Sequence, residues 1–411
     1  MHRVSRLAGG VAGLVLILWV GWSWGGPPNP TMSDPQRNTA GGTGALGNVT
    51  TGVDNTAFGD GALGSTTTGS NNTACGDAAL FSNTSGDFNT ASGRKALFSN
   101  TTGSQNTANG DAALFSNATG VANTAIGAQA LFSNTTGERN TATGAGALFS
   151  NTTGISNTAV GENALFSNTT GIDNTAIGRE ALALNTTGID NTAIGREALY
   201  NTTTGQSNTA IGDSALVANT TGSNNTAMGN TALIRNATGN NNTAIGVNAD
   251  VASGNLTNAT AIGANATVDA SNKIRLGDTA ITVIEGQVAF TFPSDQTKKE
   301  HFQPVDGEAV LTKLRALTLT SWNYIGHDPA QFRHYGPMAQ EFFAAFGHDG
   351  IGTIGTPTTL NVGDVAGIVL SAVQALEQRT AALQAKAAQG ERQEGLIAEE
   401  VAKVYPELVT G

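Results

Sequence analysis

The chain has a single cysteine, Cys75. No internal disulfide framework and no multi-cysteine metal site can be built from it. Charge is scarce too: 12% of the 411 residues are charged, about half the usual share, which excludes a highly charged disordered chain. The formal charge sums to −11 without any cluster of Lys or Arg, so the electrostatic footprint of a nucleic-acid binder is missing and no nucleic-acid partner is expected. Aromatics are held to 6%. The mean hydropathy of −0.11 is too low for a polytopic membrane protein. What the chain does have is glycine, 53 residues of it, without the every-third-residue period of collagen.

Arg3 and Arg6 precede an apolar run from Leu7 to Trp24, the arrangement of a secretory signal. At about 1.5 Å per residue the run approaches the ~30 Å of a bilayer core, so membrane contact through residues 7–24 is expected. Trp22, Ser23 and Trp24 occupy the place of a small-x-small cleavage site, so a retained signal anchor and a cleaved signal peptide both fit residues 1–26. Pro27, Pro28 and Pro30 break any helix and open a linker, residues 27–37.

Residues 38–267 repeat with a strict seventeen-residue period, the unit reading Asn-Thr-Ala-Ile-Gly-x-x-Ala-Leu-Phe-Ser-Asn-Thr-Thr-Gly-x-x from Asn174 to Asp190. Gly recurs at the fifth position of all fourteen units, from Gly42 to Gly263, and Ala at the eighth, from Ala45 to Ala266. A second Gly closes the first twelve, from Gly52 to Gly239. Constant phase is what a solenoid requires, because every coil must stack in register on the last. Gly, Asn and Thr form helices poorly, so each coil is expected to hold two tight turns and two short strands. The fourth position (Ile177, Ile194, Met228) and the ninth (Leu182, Leu199) are assigned to the interior. Cys75 holds a fourth position and is read with them as a buried thiol. Ser92, Asn109 and Thr143 at the same position predict a less stable N-terminal half. At ~4.8 Å per coil the roll would be roughly 65 Å long, a spacer or display surface.

The Asn-Thr-Ala-Ile-Gly segment resembles the Ser-Val-Ala-Ile-Gly repeat of YadA-like trimeric adhesin heads. The resemblance implies a left-handed parallel β-roll packed as a homotrimer, offering a host surface or glycan a binding face. The C-terminal membrane strands of such adhesins are absent from these 411 residues. Asp54, Asp173 and Asp190 sit only at a variable turn position, unlike the fixed Asp of calcium-binding nonapeptide rolls. Paired threonines such as Thr186 and Thr187 precede a turn glycine, which argues against a flat ice-binding face.

Past Thr267 the composition becomes ordinary, through a neck (268–293) into a compact domain (294–360). Here Ser294, Asp295, Lys299, Glu300 and Pro304 stand in an order that resembles the opening of the intramolecular chaperone domain of phage endosialidases and other tail spikes. Trp322-Asn323-Tyr324 and Arg333 to Glu341 follow that family's order downstream. The resemblance implies self-cleavage before Ser294, with Ser294 as nucleophile and Lys299 as general base. A lysine with a free pKa near 10.4 must be largely neutral to accept a proton, and Lys298 is the neighbouring cation that would favour this. Spacing alone favours a solvated lysine pair at a strand end, and it is the accompanying family residues that favour cleavage. Pro293 and Lys298 depart from the family pattern.

His301, His327, His334 and His348 share no metal-ligand spacing and read as surface or turn residues; no metal and no cofactor is expected. Val365, Val369, Ala372, Leu376 and Leu383 recur at helical spacing, predicting a trimerising coiled-coil helix (361–390) that Gly390 ends. The tail, 391–411, looks like a second copy of the Gly336–Phe346 segment. The expectation is a mainly β chain: a parallel β-roll solenoid of fourteen 17-residue coils, a small α+β chaperone domain and a coiled-coil helix, assembled as a trimer. Its function would be that of an exported, self-cleaving fibre. The alternative is a structural adhesin that keeps its C-terminal domain, and an externally acting hydrolase is third.

Overall fold

The computed structural model describes residues 34–281, 284, 296–325, 328–330, 333–350 and 352–404. They divide into two compact units, up to Ile281 and from Thr282 onward. The predicted signal or anchor, 1–26, lies outside the described residues, as does part of the neck. Among the described residues no helix is long and apolar enough to cross a membrane.

The first unit is the solenoid. Each coil contributes one three-residue strand, Thr39–Gly41 in the first and Thr260–Ile262 in the fourteenth, to a 15-stranded parallel sheet that ends on Ile274–Leu276. Register never slips: Thr192 pairs with Thr209, Ala193 with Ala210, Ile194 with Ile211. The last step is shorter, Thr260 pairing with Ile274. The other side of the coil departs from expectation. In the first twelve coils it is a run of turns instead of a second strand, because the ninth-position leucines adopt left-handed backbone, as in Leu182 (φ 53°) and Leu199 (φ 54°). Its N–H groups still donate across coils, Leu182 to the Ala198 carbonyl at 2.9 Å and Thr186 to that of Thr203 at 2.9 Å. Two-residue strands replace the turns only at Asp250–Val251 and Thr267–Val268.

The interior is narrow and made of alanine and leucine. Third-position Ala, eighth-position Ala and ninth-position Leu are fully buried in coil after coil, for example Ala193, Ala198 and Leu199. A fully buried Leu contributes ~2 kcal/mol, enough to offset the ~1–2 kcal/mol of its left-handed backbone. The fourth position, predicted to be interior, points outward: Ile177, Ile194 and Met228 are 40%, 37% and 42% exposed. Cys75 is likewise exposed. Strand geometry explains the correction, since neighbours on a strand face opposite sides and the buried third-position Ala forces the fourth out. Ser92, Asn109 and Thr143 therefore bury no unpaired hydroxyl or amide in the core, and the weaker N-terminal half expected from them loses its basis.

The fifth-position glycine is dictated by contact. A Cβ on Gly178, at φ 136°, would lie 2.4 Å from the Gly195 carbonyl oxygen of the next coil. The outer surface carries a column that the repeat did not announce. The tenth-position rings Phe81, Phe98, Phe115, Phe132, Phe149 and Phe166 stack with centroids 5.0–5.5 Å apart.

Two asparagine ladders run inside the turns. In the first, Asn191 Nδ2 donates to Asn174 Oδ1 at 3.1 Å and to the Gly205 carbonyl at 2.8 Å, while Asn191 N–H donates to the same Oδ1 at 3.1 Å. The second joins Asn185 Nδ2 to Asn168 Oδ1 at 2.7 Å. It is broken where Thr202 replaces the expected Asn: Asn185 Oδ1 is buried with no partner, and Asn219 Nδ2 turns to Thr202 Oγ1 at 3.2 Å.

The second unit packs Val310, Phe342, Phe346 and Ala372 into a small core. Helix α1 (Gly307–Ala316) is capped by Asp306, which accepts from Glu308 N–H at 3.0 Å and Ala309 N–H at 3.1 Å. Helix α2 spans Ala339–Phe346 and α3 Val362–Val404. The approach of α1 to α3 is close enough that a Cβ on Gly307 would meet Ala375 Cβ at 2.8 Å. Arg379, read as an interruption of the stripe, bonds Glu308 of α1 through Nε at 2.9 Å. Gly390 does not end the helix, which runs through it to Val404. A mid-helix glycine costs only ~1 kcal/mol, and the alanines, glutamines and glutamates around it favour helix. Val369, Leu376 and Leu383 of the predicted stripe are exposed within the chain, while Ala372 is buried.

Two stability tests follow. Thr202→Asn restores the missing amide donor to Asn185 and should raise roll stability by about 1 kcal/mol, measured by the denaturation midpoint; an unchanged or lower midpoint refutes the ladder's role. Asp250 is buried, 3.7 Å from Arg235, and burial pushes its carboxyl above the ordinary value despite N–H bonds from Val251 and Arg235. A raised folded-state pKa favours folding at acid pH, and that contribution is lost as pH rises through the raised value. Asp250→Asn should therefore melt higher than the parent at neutral pH, with the gap closing on acidification; a pH-independent gap contradicts this.

Candidate functional site

The predicted nucleophile Ser294 lies outside the described residues, together with Pro293 and Asp295. The predicted base Lys299 is described and exposed, directly after a short 3-10 turn, Gln296–Lys298, with its N–H donating to the Gln296 carbonyl at 3.2 Å. His301 follows in left-handed backbone (φ 58°), its Nε2 lying 3.6 Å from Glu300. Such an adjacent exposed pair contributes little to stability. Among the described residues no group of three or more His, Cys, Asp or Glu could hold a metal ion.

Downstream, an antiparallel pair joins Thr320–Trp322 to His334–Gly336. It assembles an aromatic cluster that the one-dimensional reading left as separate pieces. Trp322 stacks on His334 with centroids 4.7 Å apart, and Tyr324 meets Trp322 edge-on at 5.1 Å. The Trp322 indole N–H is buried without a partner. Arg333 bonds the Ser321 hydroxyl across the same pair. The hairpin is tied to α2 by Glu341, whose Oε2 accepts from Thr318 N–H at 3.3 Å. His334 is thus a packing partner of Trp322 as well as a surface residue. The alternation Leu317-Thr318-Leu319-Thr320 running into the strand and the turn signal of Asp328-Pro329 between the strands are the features that could have paired these segments.

Chemically, a serine–lysine pair works if the amine is neutral when it takes the hydroxyl proton.

No curated protein matches the chain at a significant level. Residues 294–351 match a family described as chaperone of endosialidase, and the match opens on Ser294 itself. It spans the 3-10 turn, α1, the aromatic hairpin and α2, the segments whose order suggested the resemblance. The chain is therefore a parallel β-solenoid of about fourteen coils followed by a chaperone-of-endosialidase domain at residues 294–351.

Proposed function

We propose that the protein is an exported, trimeric fibre in which the solenoid is the lasting shaft and the C-terminal domain directs assembly, then separates by self-cleavage before Ser294. The observation that carries this reading is the match to a chaperone family that begins at Ser294, after the solenoid and its neck. The solenoid supplies the need. Its pairings are between residues seventeen apart in identical coils, so a slip by one coil yields nearly the same contacts between copies, and a domain that sets the starting register removes the ambiguity.

The cleavage step balances as follows. Lys299 amine takes the Ser294 hydroxyl proton as Oγ attacks the Pro293 carbonyl carbon. The Pro293–Ser294 peptide bond breaks, the nitrogen leaves as the Ser294 amine with a proton returned from Lys299, and an ester links Pro293 to Oγ. Water then hydrolyses the ester, leaving a Pro293 carboxylate and the Ser294 hydroxyl.

Denaturing electrophoresis of the parent beside Ser294→Ala and Lys299→Gln is the test. The parent should yield two fragments divided at residue 293, Ser294→Ala should stay full length, and Lys299→Gln should cleave at least 100-fold more slowly. A parent that remains full length refutes cleavage and leaves a structural fibre with its C-terminal domain retained.

A further inference from the structure

The tenth-position column of rings is regular for six coils and then misses one. From residues 80–83 to residues 165–168 the turn reads Leu-Phe-Ser-Asn every time. The next coil reads Leu182-Ala183-Leu184-Asn185 and the one after it Leu199-Tyr200-Asn201-Thr202. The stack therefore stops at Phe166, whose ring lies 5.0 Å from that of Phe149 and within 8° of its plane. It skips Ala183, and the column becomes aromatic again at Tyr200.

The omission leaves a space one ring wide. Phe166 and Tyr200 are two coil steps apart, about 9.6 Å. A notch of about 130 Å³ opens there, lined by Asn163, Phe166, Glu180, Ala183, Leu184 and Tyr200. Ala183, only 4% exposed, is its floor. A space of this size suits a single six-membered ring, since an apolar cavity of about 150 Å³ takes benzene.

The lining has two chemistries. Phe166 and Tyr200 offer aromatic surface from the two neighbouring coils, whereas Glu180 and Asn163, both half-buried, offer a carboxylate and an amide. Arg179 steadies the carboxylate: its Nη1 lies 3.1 Å from Glu180 Oε1, and its Nη2 bonds Glu197 at 3.2 Å. A carboxylate accepts several hydrogen bonds, so Glu180 keeps acceptor capacity after this pairing. An aromatic side chain in the notch would match the rings but would cover the carboxylate and the amide without bonding either. A pyranose meets both demands. Its C–H faces lie flat on aromatic rings, and its equatorial hydroxyls project in the plane of the sugar, where polar groups beside the rings can reach them.

We propose that the notch between Phe166 and Tyr200 is a carbohydrate subsite that takes one pyranose ring of a glycan, stacked in the place of the missing phenylalanine, with Glu180 accepting from its hydroxyls and Asn163 bonding them. The subsite belongs to the solenoid alone and is independent of cleavage and of assembly.

Ligand-observed NMR titration of the full chain tests it, with the methyl glycosides of glucose, galactose and N-acetylglucosamine as probes and p-cresol as the flat aromatic alternative. At least one glycoside should saturate in the millimolar range, more tightly than p-cresol. Ala183→Phe gives this coil the residue that six others already carry, so it should fold with a denaturation midpoint no lower than the parent's while binding the glycoside at least tenfold more weakly. Glu180→Gln alters an exposed ion pair of little weight in stability and should weaken binding about tenfold with the fold unchanged. No saturation by any of these glycosides up to roughly 100 mM, or saturation unaltered by Ala183→Phe, would overturn the subsite. Tighter binding of p-cresol than of every glycoside would assign the notch to an aromatic side chain and overturn the carbohydrate reading. Unaltered binding by Glu180→Gln would overturn the hydroxyl contact.

Discussion

Everything in the solenoid depends on the coincidence of like with like one coil away. A buried asparagine amide is expensive to leave unpaired, and here nearly all are completed by the same amide in the neighbouring coil and by a turn carbonyl, as at Asn191. The arrangement works only at a fixed step. One inserted residue would strand a column of amides, set glycine carbonyls against side chains, and turn the alanine face outward. Strict periodicity is thus a consequence of burying polar groups in a roll too thin to contain water or compensating side chains. The gap at Asn185 shows the same rule in the negative: a threonine in the neighbouring coil is enough to leave a carbonyl oxygen with nothing to accept.

The same constraint shapes the outside. Because the strand's inward position is always Ala and the interior of the first twelve coils is filled by Ala and Leu, larger apolar residues that a strand would ordinarily bury are pushed to the surface. The six-ring phenylalanine column and the isoleucine stripe both follow from this. Rings stacked at the coil spacing cover one another's faces, so the phenylalanines are largely satisfied by the repeat itself. The isoleucines present their side chains outward instead and stay partly exposed within the chain. The C-terminal unit differs in kind. Its core mixes Phe, Val and Ala from three helices, and its long helix leaves Val369, Leu376 and Leu383 exposed along its length. Both units therefore carry apolar surface in excess of what their own folds bury.

Much of this was legible beforehand, for a physical reason. A seventeen-residue phase held over fourteen units is satisfied by few architectures, and glycine at two fixed places marks where carbonyls of adjacent coils come within contact. Ser294 and Lys299, with the Trp322 and Arg333 to Glu341 segments, were enough to indicate the chaperone domain that the family match then delimited. The inward or outward sense of the strand was read wrongly because isoleucine was weighed by its hydrophobicity alone. A better signal was present. The third position is Ala in all fourteen coils, whereas the fourth ranges over Gly41, Phe58, Cys75, Ser92 and Asn109. Only an outward position tolerates that range.

The sequence by itself determined the step, the number of coils, the turn glycines and the division into two chemistries, because all of these are periodicities or breaks in periodicity along the chain. Tertiary structure alone decided which face of each strand is the core, that the far side of the coil is made of turns, that the asparagines join into ladders and that Gly390 is carried inside a helix. Those outcomes turn on left-handed leucines, on glycine contacts between coils that leave no room for a Cβ and on hydrogen bonds between residues seventeen apart. Such contacts exist only once the chain has closed on itself, and no local preference encodes them.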